Sequence, residues 1–320
     1  MVSLTEVRAS NAALTPSTIP KTALFVGATS GIGKYTLTEL VSLNLPMKCY
    51  VVGRKASEPA MRPVLEALRR KSTQAELVWV EAEVSLLSEV KRVCDFIKEN
   101  EERLDLTCLT AGYAPFGGRN DTAEGIEVTH ALQYYGRMLF TLSLLPLLRA
   151  SPSPRVLTVL GGSFLSTNLL VDDLDLRKAG NFGGMRSQTH MSIMNTLFLD
   201  RLASDPANAK ITFVHNWPGA VDTGNMARYH APSWLSPAPV LVGFLATAWL
   251  VVLIVICHYC LAFDPTADPL ANPTRDRRCG RKYAWKANAV DVKTVGMFKG
   301  LRRRLGHHSY WDMALTKVPD

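Results

Sequence analysis

The sequence predicts an α/β fold built on a doubly wound, mostly parallel β-sheet of the Rossmann type. Six short apolar runs alternate along the chain with longer segments of helical periodicity. Each run is almost continuous in apolar residues, which is typical of strands buried on both faces of a parallel sheet. The chain has 320 residues, 47% of them hydrophobic, which is enough to cover both faces of such a sheet with helices.

The predicted strands are TALFV (22–26), KCYVV (48–52), ELVWV (76–80), LDLTCL (104–109), RVLTVL (155–160) and KITFVH (210–215). The predicted helices cover about 32–44, 60–71, 86–100, 124–149 and 187–204. We therefore expect four parts: a loosely docked N-terminal extension (1–20), the α/β domain (21–228), an apolar segment (229–263) and a basic C-terminal segment that packs back on the domain (264–320).

The positive charge is concentrated near the C-terminus. Residues 275–304 contain eleven lysine and arginine residues and two acids, although the net charge of the whole chain is +8. The sequence shows no nucleic-acid recognition motif that this patch could serve. Because the patch follows an apolar run, it favours contact with an anionic membrane surface over nucleic acid.

Neither metal binding nor a disulfide framework is expected. The six cysteines follow no disulfide or zinc spacing, and Cys257 and Cys260 form a CxxC at the end of an apolar run, where two buried thiols are the simpler interpretation. Asp172, Asp173 and Asp175 are interpreted as a solvated turn or a helix cap. The N-terminus lacks the apolar core of a secretory signal, which favours the cytoplasmic side.

A glycine-rich turn follows the first strand. Gly27, Gly31 and Gly33 have the spacing G-x3-G-x-G, directly before an amphipathic helix. Glycines let the backbone approach a pyrophosphate, whose charge the helix N-terminus then stabilises. We expect this turn to bind a dinucleotide through Gly27, Thr29, Ser30, Gly31, Ile32 and Gly33.

The end of the second strand bears on the choice of cofactor. An acidic residue there would accept a hydrogen bond from a free ribose 2′-hydroxyl, whereas this strand ends in VVGRK with Arg54. A guanidinium pairs well with a 2′-phosphate. The sequence therefore favours NADP(H) over NAD(H), with Lys55 and Ser30 as helpers.

Together these motifs resemble the short-chain dehydrogenase/reductase family over residues 20–225, most closely its fungal secondary-metabolism members. GATSGIG (27–33) matches the family's glycine motif, and LTAG (109–112) is similar to its NNAG motif after the fourth strand. NWPGAVDTG (216–224) is similar to its P-G-x-V-x-T segment after the sixth strand. The resemblance implies further cofactor contacts from Ala111, Gly112, Pro218, Gly219, Val221 and Thr223, the last four at the nicotinamide end.

The resemblance also implies a catalytic tyrosine and lysine four residues apart on one helix. The lysine lowers the pKa of the tyrosine, which exchanges a proton with the substrate oxygen. Alignment on Asn195 and LF (197–198) places the tyrosine at Gln188 and the lysine at Ser192. The chain contains no Tyr-x-x-x-Lys anywhere, so the ordinary proton donor is missing.

The family's serine falls near Gly161, with Ser163 two residues further on, and its asparagine falls at Gln133. We expect Gln188 to orient a substrate oxygen, while water, Ser163 or the substrate itself supplies the proton. A positioned acid contributes about 10²–10⁴-fold to a rate, so its loss slows such a reaction without abolishing it.

Two histidines are alternative proton-transfer groups. His190 lies between Gln188 and Ser192 in sequence, about 200° around the helix from each, and is expected to face away from the cofactor. His130 lies three residues before Gln133, from where it could approach the site.

A final feature is the run Tyr229–Phe263, which has no charged residue over 35 positions. Its core, residues 240–257, is just long enough to span a membrane. It could equally be a hydrophobic lid over an apolar substrate, or a core or dimer-interface helix. We expect an NADP(H)-dependent oxidoreductase on the cytoplasmic face of a membrane, acting on an apolar carbonyl, alcohol or enone. The alternatives are a non-redox isomerase or cyclase and a catalytically silent nucleotide-binding protein.

Overall fold

The computed structural model describes residues 4–113, 117–161 and 169–216. They form a parallel six-stranded sheet with the strand order β3-β2-β1-β4-β5-β6. The strands are β1 (Thr22–Val26), β2 (Met47–Gly53), β3 (Ala75–Glu81), β4 (Leu106–Leu109), β5 (Arg155–Val159) and β6 (Thr212–Asn216). The predicted Rossmann-type fold is confirmed, because each apolar run became one strand of a doubly wound sheet.

The helices in chain order are α1 (Leu4–Ala12), α2 (Gly31–Ser42), α3 (Glu58–Lys71), α4 (Leu87–Asn100), α5 (Val128–His130), α6 (Gly136–Ser143), α7 (Leu145–Ala150) and α8 (Gly184–Ala203). They cover both faces of the sheet. Alternate residues of β1 enter two separate cores, with Leu24 in the core that contains α4, α6 and α8, and Phe25 in the core that contains α2 and α3. This double burial explains why the strands are apolar throughout.

The single helix predicted over 124–149 was wrong. Gly125 adopts φ +70° in a turn, and α5 begins after Glu127, whose side chain accepts a hydrogen bond from the backbone N–H of His130. A π-helical turn, Ala131–Tyr135, then separates α5 from α6. The last part, α7, is a separate helix with a proline in its first turn.

The N-terminal residues include a helix and part of the core. Ile19 is buried in the core that contains α2 and α3, and the partly buried Leu14 packs against it. In the part of the chain that the structure describes, no helix is both long and apolar enough to cross a membrane. The apolar segment (229–263) and the basic C-terminal segment (264–320) lie outside the described residues.

Candidate active site

The glycine turn lies where the strand order reverses, between the carboxyl ends of β1 and β4. Gly27 adopts φ +97°, and a Cβ there would lie 2.3 Å from the backbone nitrogen of Ala111. A Cβ on Gly33 would lie 2.5 Å from Oγ1 of Thr110. The turn therefore packs directly on the end of β4, and side chains at these two positions would push it away.

The N-terminus of α2 can bind an anion. Ser30 is the N-cap in an extended conformation, and its side chain makes no capping hydrogen bond to the helix. The amides of residues 31–33 have no carbonyl one turn earlier in the helix, so they suit a pyrophosphate. Thr29 lies close to Gly53 at the end of β2. This cradle fits the phosphates of a dinucleotide.

Two positively charged side chains, those of Arg54 and Lys55, lie beside the cradle at the end of β2. Arg54 and Lys55 directly follow this strand, and both side chains are exposed. Within the described ranges neither side chain has an ion-pair or hydrogen-bond partner. Two positive charges with no partner among the described residues can bind a phosphate at this point.

The turn after β4 connects the cradle to the neighbouring helices. Gly112 adopts φ +147°, and a Cβ on it would lie 3.1 Å from Cγ of Gln133. Nε2 of Gln133 donates to the carbonyl of Tyr113 at 2.6 Å. The Oε1 of Gln133 is buried and has no hydrogen-bond partner among the described residues. Gln133 thus braces the backbone beside Gly112.

Helix α8 packs on the same π-helical turn. Nδ2 of Asn195 donates to the carbonyls of Gln133 and Met191, both at 2.7 Å. One turn earlier Ser192 is fully buried, and its hydroxyl finds no partner in the described part of the chain. Gln188 is half-buried. Asn195 therefore joins α8 to the π-helical turn at Gln133.

The sequence of this chain matches a family model and the sequences of known proteins. Residues 21–163 match the family model described as short chain dehydrogenase. The chain is 36% identical over 249 residues to the NmrA-like family domain-containing oxidoreductase notO of Aspergillus sp., covering 78% of this chain and 74% of that protein. It is 39% identical over 251 residues to an oxidoreductase of Emericella nidulans, covering 78% and 71%. The chain belongs to the short-chain dehydrogenase/reductase family.

Solved structures share the fold of this short-chain dehydrogenase/reductase. The Pseudomonas aeruginosa RhlG/NADP active-site complex matches with a TM-score of 0.54 at 17% identity, covering 77% of this chain and 92% of that one. Levodione reductase matches with the same TM-score of 0.54 at 18% identity, covering 75% and 90%. These likenesses concern the fold, and the family assignment rests on the sequence relatives.

The family assignment sharpens the departure on α8. The alignment made from the sequence predicts that Gln188 and Ser192 occupy the family's tyrosine and lysine positions. The family's asparagine position holds Gln133, and its backbone carbonyl contacts Asn195 on α8. The π-helical turn and α8 are thus packed together through this contact.

A buried network that the sequence did not reveal adjoins this site. Nε2 of His130 lies 2.7 Å from Oγ of Ser187, and Nδ1 lies 3.2 Å from Oδ1 of Asp175. Oδ2 of Asp175 pairs with Arg177 at 2.6 Å and with Arg119 at 3.2 Å. The interpretation of Asp175 as part of a solvated turn was wrong, because this carboxylate is buried and joins two loops to α5 and α8. No spacing rule could have found a network whose members lie in four separate segments.

His190 has a different environment. Its ring is fully buried, and Nε2 accepts a hydrogen bond from the backbone N–H of Leu170 at 3.2 Å. Burial lowers the pKa of His190 to about 4, so it is neutral at physiological pH. His190 therefore contacts the segment before α8 as a neutral imidazole and does not act as an imidazolium acid at neutral pH.

Several predicted site residues lie outside the described residues: Ser163, Pro218, Gly219, Val221 and Thr223. The remaining predicted cofactor residues come together at one edge of the sheet. The glycine turn touches Ala111, Arg54 follows the neighbouring strand, and the described ranges contain no cluster of side chains suited to a metal ion.

Proposed function

We propose that this chain is an NADP(H)-dependent oxidoreductase that acts on a fairly apolar carbonyl, alcohol or enone, in fungal secondary metabolism. The observation that carries the cofactor choice is the pair of exposed cations beside the glycine turn, Arg54 and Lys55, which have no ion-pair partner within the described ranges. A 2′-phosphate would supply the missing negative partner through charge-assisted hydrogen bonds. The fungal oxidoreductase relatives support the reaction class.

The bound cofactor would exchange a hydride with the carbonyl carbon of the substrate, and this chain's residues would hold the carbonyl oxygen. The half-buried Gln188 offers an amide N–H that can donate to that oxygen. Ser192 offers a hydroxyl that is buried without a partner in the described part of α8. Neither group is an acid at neutral pH, so the proton that completes an alcohol comes from water, from Ser163 or from the substrate.

An apolar substrate is favoured by the surface that leads into α8. Leu170 and Val171 are 36% and 38% exposed, and Met185 in the first turn of α8 is 64% exposed. Exposed apolar side chains close to a site suit an apolar ligand. The apolar run 229–263 and the basic residues after it support the further proposal that the protein works at a membrane surface.

The test begins with binding of NADPH, NADH and 2′,5′-ADP by calorimetry. We expect NADPH and 2′,5′-ADP to bind and NADH to bind at least tenfold more weakly. Absorbance at 340 nm is then followed with NADPH and a panel of apolar ketones and enones, with acetone and pyruvate as small polar controls. Binding without NADPH consumption would favour the non-redox alternatives, and turnover of the polar controls alone would overturn the apolar substrate.

A further inference from the structure

Arg137 is a buried cation in the first turn of α6. The residue is 3% exposed, and its guanidinium lies among neutral groups. Nη1 donates to Oγ1 of Thr158 at 2.5 Å and to the carbonyl of Val159 at 2.9 Å. Nη2 donates to the carbonyl of Ala111 at 2.7 Å, and Nε donates to the carbonyl of Leu132 at 3.2 Å.

No carboxylate among the described residues pairs with this guanidinium. Burying an unpaired charge is costly even when its hydrogen bonds are made, because neutral acceptors replace hydration only in part. Burial lowers the pKa of Arg137 to about 9, so the charge persists at neutral pH. A neutral side chain could fill the same space, so packing alone does not explain why this residue is positively charged.

The charge of Arg137 lies at the carboxyl edge of the sheet, in the half opposite to the one where the adenosine of a bound dinucleotide would lie. Arg54 follows β2, on one side of the glycine turn, whereas Arg137 binds the backbone that follows β4 and the last residue of β5. A dinucleotide with its pyrophosphate on the glycine turn and its adenosine toward β2 extends its other half over β4 and β5. Nη2 of Arg137 lies 3.6 Å from the point that a Cβ on Gly112 would occupy.

Arg137 also connects to the helix that has lost the family's lysine. Oγ1 of Thr158, which accepts from Arg137, is 3.5 Å from Oδ1 of Asn195. Asn195 follows Ser192 by three residues on α8, and Ser192 occupies the aligned lysine position. The arginine therefore supplies a fixed positive charge from α6, behind the site, where the family pattern would supply one from α8.

We propose that the buried charge of Arg137 makes the site bind the reduced cofactor more tightly than the oxidised cofactor. This inference rests on the proposed function. The oxidised nicotinamide ring is positively charged and the reduced ring is not, so a fixed cation nearby disfavours NADP⁺ relative to NADPH. A bound NADPH would supply a hydride to the carbonyl carbon of a substrate, the π pair would move to the oxygen, and a proton from water would complete the alcohol. The same cation stabilises the negative charge that develops on that oxygen.

The test is the ratio of two dissociation constants, which requires no substrate. The Kd values of NADP⁺ and NADPH are measured by calorimetry for the wild type, R137K and R137Q, after circular dichroism confirms folding. For an assumed separation of about 10 Å and an effective dielectric constant of about 20, two unit charges change an equilibrium about tenfold. We expect the wild type and R137K to bind NADPH about tenfold more tightly than NADP⁺, and R137Q to lose that preference.

The control is R149Q, which removes a positive charge from α7, far from the carboxyl ends of the strands. Nε of Arg149 donates to Asn208, before β6 begins, so the ratio should not change. If R137Q weakens both cofactors equally, Arg137 is structural and the inference is overturned. A wild-type ratio at or below one overturns it even if R137Q does not fold. Absence of binding by either cofactor would instead overturn the proposed function.

Discussion

Nε2 of His130 lies 2.7 Å from Oγ of Ser187, the residue directly before Gln188. Both side chains are fully buried, and Asp175 completes the network on the other ring nitrogen. The contact joins the start of α8 to α5 and to the loop that contains Asp175. It therefore fixes the start of the helix on which Gln188 lies, without itself involving Gln188.

Removing this ring should destabilise the protein. His130→Ala leaves a cavity and deprives both Ser187 and Asp175 of a buried partner, so we expect the free energy of unfolding to fall by about 2–4 kcal/mol. Urea denaturation at pH 7.5 measures the change. Lys98→Met is the control, since it removes an exposed ion pair with Asp95 and should cost less than about 1 kcal/mol. Equal losses in the two variants would show that the network contributes little.

Arg54 should decide between the two nicotinamide cofactors. Arg54→Asp replaces a phosphate donor with an acceptor for a ribose hydroxyl, so NADPH affinity should fall about 10–100-fold while NADH affinity is kept or improved. Calorimetric titration with both cofactors measures the switch. Arg62→Asp makes the same charge reversal on α3, where Arg62 pairs with Glu58 on an exposed face. Cofactor preference unchanged in Arg54→Asp would refute the 2′-phosphate interpretation.

The contact of the glycine turn with β4 should not tolerate a methyl group. In Gly33→Ala the Cβ would lie 2.5 Å from Oγ1 of Thr110 and 2.8 Å from the carbonyl oxygen of Gly27. Because one of these atoms is backbone, we expect a loss of about 1–3 kcal/mol in stability and weaker NADPH binding. Thermal unfolding and calorimetry measure these effects. Gly118→Ala is the control, since a Cβ there meets nothing within 4 Å; similar behaviour of both variants would contradict the packing.

Stability should fall in mild acid because of His190. Burial lowers its pKa in the folded protein to about 4, whereas an unfolded histidine titrates near 6.5. Below pH 6.5 the unfolded chain therefore binds a proton that the folded chain does not, and stability decreases by up to about 1.4 kcal/mol per pH unit down to about pH 4. Urea denaturation between pH 7.5 and 4.5 should show a shallower decline in His190→Gln than in the wild type. Parallel curves of stability against pH for the two proteins would show that His190 is not responsible for the decline.

Gln188 should contribute to the reaction without being indispensable. If its amide orients the substrate oxygen, Gln188→Ala removes one hydrogen bond and should lower kcat/KM about 5- to 20-fold. Thr189→Ala is the control, because Thr189 is a half-buried neighbour about 100° further around α8. The measurement is NADPH consumption at 340 nm with the best ketone of the panel. A complete loss would mean that Gln188 does more than orient the substrate.

The sequence predicted the strands well because strand burial is a local property. The run TALFV became β1 with no change of bounds, and KCYVV became Met47–Gly53. The helix predicted over 124–149 failed because apolar periodicity alone does not register the turn at Gly125 or the π-helical turn. The π-helical turn also contacts another segment, through the bond from Asn195 to the carbonyl of Gln133.

The sequence by itself determined the Rossmann-type sheet and the glycine turn, and it predicts that α8 lacks the family's tyrosine and lysine. Each of these features depends on residues that lie close together along the chain. The tertiary structure alone decided that His130 meets Ser187 and that Arg137 lies buried against Ala111, contacts that join residues 57 and 26 positions apart. Which helix faces meet is set by packing around the whole sheet, and a buried polar group takes whatever partner that packing brings within reach.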